Sequence, residues 1–132
     1  MAVSKTTIGK PLDFLTAVSE IHELAKEKGW WPQYSMRKGP KRQRAIEVTI
    51  PEKLMLIVSE ASEALEDYRN ANFLQLDFEV SGKPIGFASE LADVVIRCFD
   101  LAGALGIDLQ DAIIQKHKYN KTRPFRHGGK KV

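Results

Sequence analysis

The chain has a single cysteine, Cys98, so no internal disulfide can form and nothing calls for an oxidising compartment. No apolar run approaches the roughly 20 residues that span a bilayer, and the longest aliphatic stretch is Leu54 to Val58. The first ten residues, MAVSKTTIGK, hold no apolar core of signal-peptide type. A membrane partner is therefore not expected, and the cytoplasm is the expected compartment. Paired cysteine and histidine ligands are absent, which argues against zinc. Strand signals are scarce too: only Ala45 to Ile50 alternates, and it runs into Pro51. There is no internal repeat and no low-complexity segment.

What is present reads as one domain, 1–132, of ordinary composition, 43% hydrophobic and 28% charged. Apolar residues recur at the helical period in four places. The first helix is expected at about 12–28, with Phe14, Val18, Ile21 and Ala25 on one stripe and Gly29 to stop it. The second, about 50–70, repeats at Leu54, Ile57, Ala61, Ala64/Leu65 and Tyr68, with Thr49-Ile-Pro-Glu52 as a capping box. The third, about 86–105, sets Phe87, Leu91, Val94, Cys98, Leu101 and Leu105 on one seam. After Gly106, Asp108 caps a fourth helix to about 120. Two long connections, about 31–49 and 71–85, separate the first three. The expected fold is all-α, a four- to five-helix bundle, with a mobile basic loop at about 32–47 and a flexible tail at about 124–132.

The net charge of +3 is unevenly spread. Five basic side chains fall in 37–44, and seven lysines and arginines in 116–131, around an acidic stretch with Glu52, Glu60, Glu63, Glu66 and Asp67. Such a layout suits a polyanion bound through cations, and it also suits plain solvated surface.

Glu60 and Glu63 lie three apart and share one side of their helix, about 90° and 150° from the centre of its apolar stripe. Glu90 and Asp93 repeat that spacing closer to their seam, about 30° and 90° away. Helices packed by these seams would gather all four carboxylates. A pair 5 Å apart costs about 3–4 kcal/mol at an effective dielectric near 20, so the set needs a counter-charge, and hard oxygen ligands suit Mg²⁺ or Mn²⁺. Downstream, Lys116 and Asn120 share a helical row and Arg123 follows a turn later. These three suit phosphate oxygens, or they serve as cations and polar groups at a helix C-terminus. Trp30 and Trp31 can stack on a base or pack inside. His22 can bond a base or sugar or be a satisfied core-edge histidine. Arg97 can reach phosphate or pair with Asp93, and Cys98 reads as core. The 37–44 segment can close over a triphosphate or stay mobile.

The segments KLMLIVSEASEALEDYR (53–69), ELADVVIRCFDLAGALGIDL (90–109) and KHKYNKTRP (116–124), with KGWW (28–31) ending the first helix, resemble the MazG-like, all-α nucleoside triphosphate pyrophosphohydrolase family. The resemblance implies an oligomer, homodimer or homotetramer, that depends on Mg²⁺. It implies cleavage of a (d)NTP between the α and β phosphates to the (d)NMP and pyrophosphate, by attack of a metal-bound water on the α-phosphorus. Carried over by position, Glu60, Glu63, Glu90 and Asp93 become metal ligands, Glu60 and Glu63 the catalytic carboxylates, and Lys116, Asn120 and Arg123 phosphate contacts. His22, Trp30 and Trp31 stand for the nucleoside. Many relatives carry E-E-x-x-E where this chain has Ser59-Glu60. Two alternatives remain: a phosphoribosyl-ATP pyrophosphatase-like enzyme, and a non-catalytic helical module that binds nucleic acid.

Overall fold

A computed structural model of the chain describes residues 8–36, 38–70 and 74–131. Arg37 of the basic segment, 71–73 of the second connection and Val132 of the tail lie outside the described residues.

Helix α1, Phe14–Glu27, begins at Asp13, whose carboxylate accepts from the Thr16 N–H at 2.8 Å. It stops at Gly29, whose φ of +86° lets the Trp30 N–H turn back to the Ala25 carbonyl. Helix α4, Ile50–Asn70, and helix α5, Phe87–Leu105, follow the sequence-based bounds closely, and Gly106 in the left-handed region closes α5. Asp108 caps α6, Leu109–Thr122, by accepting from Asp111. The capping box at Thr49 does not form. Its hydroxyl instead donates back to the Ile46 carbonyl at 2.7 Å.

The segment expected as a basic loop is mostly helical: α2 spans Gln33–Met36 and α3 spans Gly39–Glu47. Pro40 sits in the first turn of α3, where its missing N–H costs nothing. Only Ile46 of that helix is buried, so no apolar stripe announces it. The apparent alternation from Ala45 to Ile50 falls across the end of α3 and the start of α4. In the second connection, β1, Asp77–Phe78, pairs antiparallel with β2, Pro84–Ile85, in a small exposed hairpin. One helical turn, α7, Arg126–Gly129, occupies the tail.

Packing centres on α5, which lies against α4 on one side and α1 on the other. The result is an all-α helical bundle domain. Trp31, Ile46 and Ala104 form one core cluster, joined by Tyr34, Ala25, Leu101 and Leu105. Phe14 of α1 meets Phe99 of α5 with ring centroids 4.7 Å apart.

Because α5 serves two partners, its buried face differs from the single seam expected. Phe99, Ala102 and Ala104 are inside, while Leu91 is half exposed. The change on α4 is larger: Glu60 and Ala64 are its buried residues, and Leu54, Leu65 and Tyr68 of the expected stripe are exposed. Helix α6 buries no residue within the chain.

Candidate metal centre

One glutamate of α4, Glu60, is turned into α5. Glu60 is only 8% exposed, and Glu90 and Asp93 approach it from α5, each half-buried. One carboxylate oxygen from each of the three lies within 4.8 Å of the others. One turn beyond Asp93, the Arg97 Nε–H donates to Glu60 Oε1 at 2.6 Å. The i,i+4 pair with Asp93 is therefore not the contact Arg97 makes. It crosses to the neighbouring helix instead.

The electrostatics follow from that crowding. Desolvation, and then the charges of Glu63, Asp93, Asp67 and Glu60, push the Glu90 carboxyl above its ordinary value. Asp93 is raised first by desolvation and then by Glu60, against the opposing pull of Arg97 and Lys83. Glu63 is exposed and lies outside the group of three, although its charge reaches Glu90. Three hard oxygens brought together at the cost of mutual repulsion fit a small divalent ion such as Mg²⁺ or Mn²⁺.

A cavity of about 820 Å³ opens beside this cluster, within the size range of small-molecule sites. Glu60, Asp93 and Arg97 are among the residues that line it. Ile21 and Leu24 of α1 and Val95 and Ile96 of α5 supply apolar wall, and Trp30, Lys28 and Lys53 also line it.

No family model, curated protein or solved structure matches this chain. The structure therefore establishes a helical bundle whose buried acidic triad can coordinate a metal ion. Among the described residues no helix is long and apolar enough to cross a membrane.

The three residues expected at the nucleoside separate. Trp30 is 60% exposed and lines the cavity. Trp31 is 2% exposed, and its indole N–H donates to both oxygens of Asp100 at 2.9 and 3.0 Å. His22, also buried, bonds Asp100 through Nδ1 at 2.7 Å and the Tyr34 hydroxyl through Nε2 at 3.0 Å. With a proton on Nδ1, Asp100 accepts from both rings and Nε2 accepts from Tyr34, which satisfies every buried group. His22 and Trp31 are thus committed to holding the turn after α1 against α5. Burial also pushes the Tyr34 hydroxyl above its usual value. Asp100 and Tyr34 carried no motif, and the one available signal was an aspartate between Phe99 and Leu101 on an apolar helix.

Lys116 and Asn120 lie on α6 and Arg123 caps its C-terminal end, and no hydrogen bond or ion pair among the described residues ties them to the acidic triad. The Lys116 and Arg123 cations instead flank the Tyr119 ring, 5.5 and 5.8 Å from its centroid. Cys98 is half-buried and burial raises its thiol, which leaves it unreactive packing.

Proposed function

We propose that this chain hydrolyses a (deoxy)nucleoside triphosphate between the α and β phosphates, releasing the (d)NMP and pyrophosphate. The observation that carries this reading is the triad of Glu60, Glu90 and Asp93, two of which, Glu60 and Asp93, line a largely apolar cavity that Arg97, Lys28 and Lys53 also border. Those three carboxylates would hold Mg²⁺, with Mn²⁺ as a substitute, and Glu63 would complete the acidic set. An ion there would lower the pKa of an attacking water and offset charge on the departing pyrophosphate.

The chain's own groups do the remaining work. Glu60 is engaged by Arg97, whereas Glu63 makes no hydrogen bond or ion pair with the described residues. Glu63 is therefore the better placed carboxylate to orient the water and take its proton. As the water oxygen bonds to the α-phosphorus, the bond from that phosphorus to the bridging oxygen would break, and the oxygen would leave with the pyrophosphate. Trp30 and the aliphatic wall would receive the nucleoside. Lys116, Asn120 and Arg123 would contact phosphates from a second copy of the chain. Two features support that assembly: α6 buries nothing within its own chain, and its cations complement the acidic ridge.

Purified protein incubated with a panel of (d)NTPs and Mg²⁺ should release pyrophosphate, and Glu90→Gln should lower the rate by orders of magnitude. Release of single phosphate, or of nothing from any nucleotide including phosphoribosyl-ATP, defeats the proposal.

A further inference from the structure

Arg97 is the cation bonded to the acidic triad among the described residues. Its Nε–H lies 2.6 Å from Glu60 Oε1, and the Glu60 side chain is only 10% exposed. That bond is a charge-assisted contact in a partly dry site, and it supplies part of the neutralisation that the clustered carboxylates require. The same guanidinium is an obstacle to a metal ion, because it repels an incoming dication and holds one of its ligands. Arg97 is not locked in place, however. Its side chain is 33% exposed and lines the open cavity alongside Asp93 and Glu60. A turn about its long aliphatic stem would carry the guanidinium from the triad into that cavity, where a polyphosphate would meet it.

We infer that Arg97 is a displaceable internal counter-ion: it occupies the acidic triad until a divalent ion enters, and then turns to bind the phosphates of the substrate. This rests on the metal-dependent reading above and deepens it. Metal binding would release the cation that holds the polyanion, so metal and polyphosphate would each tighten the other's binding, as reciprocal coupling requires. Arginine suits both stations, since its planar fork matches carboxylate and phosphate equally well.

The test measures Mn²⁺ binding by electron paramagnetic resonance at pH 8, without nucleotide, on the full-length protein. Wild type is compared with Arg97→Gln, which removes the charge, and with Arg97→Lys, which keeps it. Removing a charge-assisted bond of ordinary strength should tighten Mn²⁺ about tenfold to a hundredfold in Arg97→Gln. Arg97→Lys should stay within a few-fold of wild type. Inorganic pyrophosphate should bind wild type more tightly when Mn²⁺ is present, and Arg97→Gln should lose most of that gain. Equal Mn²⁺ affinity in all three proteins, or weaker binding in a folded Arg97→Gln, overturns the displacement while leaving the metal site standing. Absence of Mn²⁺ binding in all three removes the metal reading itself. Circular dichroism of each variant separates these outcomes from a failure to fold.

Discussion

Asp93→Asn should make the metal-free protein more stable, although it deletes a residue proposed to be essential. Asp93 shares its site with Glu60 and Glu90, each offering an oxygen within 4.8 Å. At an effective dielectric near 20, each such pair repels by about 3–4 kcal/mol. Arg97 and Lys83 pull in the opposite direction, and the partial exposure of Asp93 and Glu90 screens what remains. The net relief from deleting one charge is therefore about 1–2 kcal/mol. The unfolding entropy of a domain of 132 residues converts this to a rise in Tm of about 4–7 °C.

The assay is thermal unfolding followed by circular dichroism at pH 8 in low salt with EDTA, with both proteins at one concentration. Saturating Mn²⁺ should then reverse the order. An ion at 100 times its Kd stabilises wild type by about 2.7 kcal/mol, a gain the variant should largely forfeit. If Asp93→Asn melts at or below wild type in EDTA, the carboxylates do not repel as described. If both proteins gain equally from Mn²⁺, Asp93 is not a ligand.

Other consequences can be measured with the same preparations. Glu90 and Asp93 are acids whose folded pKa values lie above their ordinary 4.5 and 3.8. The folded state therefore binds protons that the unfolded state has released, and their contribution to stability is lost as pH rises through that window. The stability of wild type minus that of Asp93→Asn should accordingly fall from pH 4 towards neutrality in EDTA, and rise over the same range in Mn²⁺, because the ion competes with protons for the carboxylates. A flat difference in EDTA contradicts this. Gly103→Ala should cost about 1–3 kcal/mol in urea unfolding, because the new Cβ would sit 2.7 Å from His22 Cβ. That clash outweighs the gain of about 1 kcal/mol in helix propensity, and an unchanged midpoint would show that α1 can yield. Sedimentation should give a mass above the 14.9 kDa monomer. Replacing Ile113 and Ile114, both exposed on α6, by aspartate should lower that mass, and a monomeric wild type would refute assembly through this helix.

The four long helices were legible because their stops are chemical: Asp13 and Asp108 cap, and Gly29 and Gly106 adopt positive φ. Glu90 and Asp93 were legible as a pair because i,i+3 spacing sets them on a shared side, whereas the same spacing did not keep Glu63 with Glu60 in the group of three. Helices α2 and α3 were not, because they contribute little more than Tyr34 and Ile46 to the core and offer no stripe. Asp100 escaped notice because its role depends on two partners, His22 and Trp31, 78 and 69 residues away. The bond from Arg97 to Glu60 likewise spans 37 residues. Local periodicity can place each side chain on its own helix, but it cannot choose between partners on two other helices.

That last limit bears on how the site and the assembly are connected. An amphipathic surface helix in a solitary domain buries its leucines and solvates its glutamates, and α4 departs from that pattern at several positions. Glu60 is turned into α5, while Leu54, Met55, Val58, Leu65 and Tyr68 are exposed. Each exposed aliphatic side chain forgoes about 1.5–3 kcal/mol of burial, and each buried carboxylate costs several kcal/mol unless it is paired. The exposed apolar side chains, and the repulsion left in a triad that has one bonded cation, Arg97, are both unfavourable within a single chain, and they arise from one choice of which side of α4 meets α5. Rolling α4 to bury its leucines would carry Glu60 away from Glu90 and Asp93 and dissolve the triad. A cation at the inner side and a second copy against the outer side, as proposed, would offset the two costs together. The proposed chemistry and the proposed oligomer are thus two consequences of the same helix orientation.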